Sequence, residues 1–294
     1  MKLYISHTTK YAYSETVTDS VNEIRLTPFT NEQQSCYQHS ISVEPNASLL
    51  SYDDYFGNRV HVFSVNHQHR KLTIRSQMTV VTREAVKPPR GKDAMPPKES
   101  WEWLTDEKAV NRFAEYLLPT DYTGITPEVA AFAEATIRNE ASEERIGVYS
   151  WLLAVSNKIR SEFVYDPEAT NVHTIAGDMM HRRRGVCQDF AHLMIAACRS
   201  KGVPTRYVSG YHFIGDLQGG SVDFQQASHA WVEAYVPGLG WCGFDPTNDA
   251  LVGERYVKLG HGRDYKDIVP VKGVYMGTSD AALEVTVDVK RADD

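Results

Sequence analysis

Cysteine is scarce in this 294-residue chain. There are four, Cys36, Cys187, Cys198 and Cys242, and no two form a C-x-x-C pair. So sparse a set supports neither a disulfide framework nor a structural zinc site of the usual spacing. Long apolar runs are also missing. No stretch approaches the roughly 20 apolar residues needed to cross a bilayer, and Met1-Lys2-Leu3-Tyr4-Ile5-Ser6-His7 has no apolar segment of export-signal length. The expectation is a reduced, cytoplasmic protein with no membrane association. Positive charge is not in excess either: 31 Lys and Arg stand against 38 Asp and Glu, a net charge of −7. Nothing in that balance supports nucleic-acid binding. Internal repeats and low-complexity segments are absent, no cofactor or metal is expected, and no signal of oligomeric state stands out.

What is present is an ordinary globular composition, 42% hydrophobic and 23% charged, in a chain comfortable for two domains. Residues 1–84 read as a β-rich N-terminal domain, an antiparallel sandwich. Leu3/Ile5, Tyr11/Tyr13, Ile41/Val43 and Val60/Val62 alternate with polar neighbours. Pro28, Pro45-Asn46 and Phe56-Gly57-Asn58 supply turns. Residues 85–100, with Pro88, Pro89, Pro96 and Pro97, read as a linker.

From 101 to 294 the pattern is helices and then strands, an α+β core. Asp106 is placed to cap a helix carrying Val110, Phe113, Tyr116, Leu117 and Leu118. Thr126-Pro127 opens another, and a third is expected over 143–161. A helix starts near Cys187 with Phe190, Leu193, Met194, Ala197 and Cys198 on one face, and Lys201-Gly202 stops it. Strands are expected at 207–211, 229–236 and 240–245 and around Leu283/Val285/Val287/Val289.

The chemistry concentrates at Cys187, which follows Gly185-Val186 at a helix start. Partial positive charge and unpaired N–H groups at a helix N-terminus favour a thiolate and can receive an oxyanion. Gly185 is expected to let the backbone turn sharply there. On the 229–236 strand, Ala230, Val232, Ala234 and Val236 form a face for the core, and His229 shares the other face with Trp231, Glu233 and Tyr235. That face is expected to look onto a cleft, where a base can reach the sulfur. Asp245 falls opposite residues 231–232 across a tight hairpin, one diagonal step from His229 if a bulge shifts the register. A carboxylate there orients the imidazole; as Asp245-Pro246-Thr247 it equally initiates a turn, and both roles can coexist. Cys198 reads as a buried small hydrophobe, His192 as helix surface, His181-Arg182-Arg183-Arg184 as a solvated run, and 215–221 as a loop that covers the cleft.

The blocks Gly185-Val186-Cys187-Gln188-Asp189-Phe190-Ala191, His229-Ala230-Trp231-Val232-Glu233 and Gly240-Trp241 through Asp245-Pro246-Thr247 resemble the bacterial branch of the transglutaminase-like superfamily. Glu23-Ile24-Arg25-Leu26-Thr27-Pro28 and Asp54-Tyr55-Phe56-Gly57-Asn58 resemble its β-rich N-terminal domain. The resemblance implies a papain-like α+β core with Cys187, His229 and Asp245 as a catalytic triad. The expected activity is amide or peptide hydrolysis through a thioester, with a peptide or protein as substrate. The alternatives are glutamine acyl transfer to amines, or an inert binding module of the same fold. The acidic Asp-x-Asp-x-Asp-Gly loop of a calcium site is not in the chain.

Overall fold

The computed structural model describes residues 1–84, 95–140 (backbone only for 137–140), 146–169, 172–215, 228–248, 251–277 and 280–292. The N-terminal region is built on β1 (Lys2–Ile24), with β2 (Gln34–Glu44), β3 (Leu50–Asp53), β4 (Arg59–Val65) and β5 (His69–Thr82). β1 is long enough to serve two sheets. Its first half pairs antiparallel with β5 from Lys2↔Val81 to Ala12↔Lys71. The register then slips, and Ser20–Ile24 pairs with β4 instead. Period-two alternation along β1, β4 and β5 puts Leu3, Ile5, Phe63, Val65, Leu72, Ile74, Met78 and Val80 into one core. This is the antiparallel β domain expected from the sequence.

The next region begins earlier than expected. α1 (Pro97–Thr105) occupies the end of the stretch read as a linker, with Pro97 at its first turn. There the missing N–H does no harm, so a proline that suggests a linker instead starts a helix. Residues 85–94 lie outside the described residues. Asp106 caps α2 (Glu107–Arg112), its Oδ1 accepting from Lys108 N and Ala109 N. The single helix expected there breaks at Phe113, and α3 (Ala114–Leu117) follows. α4 (Pro127–Glu140) starts at the expected proline, and α5 (Val148–Glu162) lies within the third expected span but for its last residue.

β6 (Val164–Tyr165), α6 (Ala176–Arg182) and β7 (Arg184–Gly185) lead to α7 (Cys187–Ser200). α7 is the axis of this domain, buried on every side from Gln188 to Arg199. It lies against a four-stranded antiparallel sheet ordered β10 (Gly240–Phe244), β9 (His229–Val236), β8 (Thr205–His212), β11 (Tyr256–Gly262). Ala230, Val232, Ala234 and Val236 meet it, as their alternation requires. At its far end Gly202, at φ +71°, turns the chain out. The buried guanidinium of Arg199 ties that end down by donating to the carbonyls of Tyr116, Leu118, Thr205 and Arg263 and to Thr123 Oγ1.

The C-terminal strands do not stay with the α+β core, contrary to the expected boundary of 101–294. β12 (Val271–Met276) pairs with the second half of β1, and β13 (Ala281–Arg291) with the first, from Leu3↔Arg291 to Tyr13↔Ala281. Val287 and Val289 join the N-terminal core. Periodicity reveals a strand without naming its partner, and the free edge of β1 takes these two. The regions are also joined by a polar clasp. Asn58 donates to His261 O at 2.9 Å and accepts from His261 N at 2.9 Å; Gln34 does the same for Lys258 N and O at 2.8 and 2.9 Å. Two amide side chains of the N-terminal region thus satisfy backbone groups of β11.

Candidate active site

Cys187 is the first residue of α7, and the chain that delivers it is held on both sides. Tyr165 pairs with Gly185 in a parallel two-residue ladder, with Asp166 N donating to Gly185 O at 2.9 Å. Asp189, in the first turn, accepts from Val186 N at 2.9 Å and fixes the backbone just before the sulfur. Gly185 serves this closeness rather than a sharp turn: a Cβ there would stand 2.7 Å from Asp189 Oδ2. Cys187 is partly exposed; its own N–H and that of Gln188 open the helix without an intrahelical acceptor, whereas Asp189 N already donates to Val186 O at 2.9 Å.

His229 is the first residue of β9. Its Nε2 lies 2.7 Å from Asp245 Oδ2, and Cys187 is near enough to contribute to raising the pKa of the ring. The hairpin register runs from Gly240↔Val236 to Phe244↔Val232 without a bulge. Asp245 then steps off the end of β10 and reaches His229 diagonally. Its other oxygen accepts from Thr247 N at 2.9 Å and Asn248 N at 3.2 Å, so the turn and the histidine contact coexist. Burial opposes charge on both groups. For His229 the opposing attraction of Asp245, with the bond to Asp245 and the influence of Cys187, prevails and raises its pKa to about 10. For Asp245 the attraction of His229 and bonds from His229, Asn248 and Thr247 prevail, and its pKa falls to about 2. Both shifts favour the charged pair, imidazolium with carboxylate.

Two further residues hold the carboxylate. Asn248 Nδ2 donates to Asp245 Oδ2 at 2.9 Å, and the Tyr256 hydroxyl donates to the same oxygen at 2.9 Å. Asn248 has a faint sequence signal, an Asn three residues after an Asp-Pro turn. Tyr256 has none, since it comes from β11 on the far side of the sheet.

Other expectations are corrected here. The His229 face of β9 is not an open cleft: Trp231 is packed with Val208 and Tyr256. Glu233, farther along, accepts from Lys258 Nζ at 2.6 Å and Arg206 Nε at 2.7 Å. His229 comes near Cys187 because it stands at the end of that strand. His192 is fully buried rather than on a helix surface; its ring lies between Tyr122 and Tyr207, and burial first, then the charge of Arg199, lowers its pKa to about 3. Arg182, Arg183 and Arg184 are exposed and engaged by Ala169 O, Glu162 and Asp166. Burial pushes the Cys36 thiol up, and pushes Cys198 and Cys242 up to about 12, with Glu233 adding to the effect at Cys242. The loop expected over the cleft lies, beyond Gly215, outside the described residues.

Residues 3–81 match the model of the bacterial transglutaminase-like N-terminal region, and residues 130–246 match that of the transglutaminase-like superfamily. An uncharacterized protein of Mycobacterium leprae is 36% identical over 291 residues, covering 99% of each chain. A protein-glutamine gamma-glutamyltransferase of Pseudomonas aeruginosa is 32% identical over 93 residues, 29% of this chain and 13% of that one. Among solved structures, a Cytophaga hutchinsonii protein named as a candidate cysteine protease superposes with a TM-score of 0.75 at 23% identity, over 100% of this chain and 91% of its own. The chain belongs to the transglutaminase-like superfamily and carries that family's bacterial N-terminal region.

Proposed function

We propose that this protein hydrolyses an amide bond, in a peptide or protein, through a thioester on Cys187. The observation that carries the reading is His229 bonded to Asp245 at 2.7 Å and near Cys187, which opens α7. The Cys187 thiolate attacks the carbonyl carbon, and N–H groups at the helix start receive the oxyanion. The His229 imidazolium gives its proton to the departing amine as the C–N bond breaks. Water then attacks the thioester and passes a proton to His229, and the C–S bond breaks to release the acid and restore the thiolate. Asp245 stays ionised throughout and keeps the imidazole oriented.

Partial exposure of Cys187 favours water as the acceptor. The stretch resembling the Pseudomonas aeruginosa glutamyltransferase supports a second reading, in which a primary amine takes the acyl group. An inert module is disfavoured by the investment in Asp245, which is held by His229, Asn248 and Tyr256 at once. The test is a panel of peptide amides, including Gln-containing ones, incubated with wild type and Cys187→Ala in the presence of a labelled primary amine. Release of amine or ammonia that disappears in Cys187→Ala is the expected result. Incorporation of the label in place of a free acid would select the second reading, and turnover surviving in Cys187→Ala would end both.

A further inference from the structure

Beside the triad stands a third group with no part in the reaction. His212, the last residue of β8, lies flat on Tyr256, with ring centroids 4.2 Å apart and an interplanar angle of 12°. Tyr256 is the same residue that donates to Asp245. The His212 ring is 5.6 Å from that of His229. Its Nε2 is shut off from solvent and has no hydrogen-bond partner among the described residues. A buried ring nitrogen left unmatched calls for an explanation. One ligand atom each from His212, His229 and Asp245 lies within 4.8 Å of the others.

We propose that His212, His229 and Asp245 form a binding site for a borderline divalent cation of the zinc class, and that the bound ion takes the triad out of action. Two imidazoles and one carboxylate are a donor set that suits zinc, whereas calcium and magnesium prefer all-oxygen shells. Ligand atoms around a tetrahedral zinc ion stand about 3.4 Å apart. His229 Nε2 and Asp245 Oδ2, now 2.7 Å apart, therefore separate slightly while His212 moves in. The metal replaces the proton between His229 and Asp245, and that proton leaves to solvent. An imidazole ligated through Nε2 no longer becomes an imidazolium, so the proton for the leaving amine is lost. Only this last consequence rests on the proposed function; the binding does not.

Cys187→Ala protein, free of any affinity tag, is titrated with Co²⁺ alone, which keeps all three ligands and removes the thiol. The expected result is one saturable equivalent with visible bands of tetrahedral cobalt, displaced by Zn²⁺ and unaffected by Ca²⁺. His212→Gln is expected to weaken binding by at least about tenfold. A variant-free measurement stands beside it: of the eleven histidines, two ring systems are expected to shift together in nitrogen NMR as Zn²⁺ is added. Unchanged affinity in His212→Gln, no saturable binding, or binding that wild type shows and Cys187→Ala lacks would overturn the proposal. None of these bears on whether Cys187→Ala abolishes amide turnover, so the two readings fail separately.

Discussion

Cys187, His229 and Asp245 were legible because each sits where a local pattern changes: a glycine before a helical run, small residues alternating from a strand start, an aspartate closing a hairpin. Their partners were not. Tyr256 belongs to β11, whose seven residues are all buried; a strand covered on both faces has no period of two to read. The consequence at this scale is electrostatic. Asp245→Asn keeps the size of the side chain and removes the charge that holds the imidazolium, so turnover is expected to fall by about 10³- to 10⁴-fold with little change in fold. The stability difference between wild type and Asp245→Asn should also follow pH. The contribution of Asp245, whose pKa is lowered to about 2, is full above the unfolded carboxylate value near 3.9 and is lost as pH falls toward 2. That of His229, raised to about 10, is full below about 6.5 and is lost as pH rises toward 10. Urea unfolding should show the widest gap between roughly pH 4 and 6.5. A gap independent of pH would mean that the pair is not ionised.

Elements were read well where one face meets the core and poorly where composition misled. α7 and β8–β10 carry clear helical or alternating patterns. α1 was hidden by its prolines, and β11 by uniform burial. The clasp on β11 explains why Asp54-Tyr55-Phe56-Gly57-Asn58 is more than a hairpin tip. Asp54 Oδ1 accepts from Phe56 N and Asn58 N, which presents the Asn58 amide to His261. Asn58→Ala should therefore destabilise the protein by about 2–4 kcal/mol, leaving a buried N–H and C=O unmatched. A change below 0.5 kcal/mol in denaturant unfolding would show that water replaces the amide without loss, against the expectation for a buried pair.

At the scale of the whole molecule, alternation identified the strand around 283–289 but could not say which sheet receives it. The answer is that the chain returns to its beginning: β12 and β13 flank β1, and the core of the N-terminal region continues through Tyr211, Phe213, Val257 and Leu259 of the α+β region. His7 Nδ1 meets the Tyr211 hydroxyl at 2.8 Å in that seam. Removing residues 271–294 should expose the edge of β1 and part of this shared core. The shortened chain is expected to aggregate or to lose its cooperative unfolding. A truncated protein that unfolds as one unit at the wild-type midpoint would show that the two regions are independent.

The central claim is that Cys187 is set apart from the other thiols by His229 and the start of α7. Site-resolved mass spectrometry of partial alkylation under native conditions tests it most directly. Cys187 should react at least about tenfold faster than Cys36, Cys198 and Cys242, and His229→Ala should remove that advantage. Alkylation of Cys187 no faster than of Cys36, or an advantage that survives in His229→Ala, would contradict it.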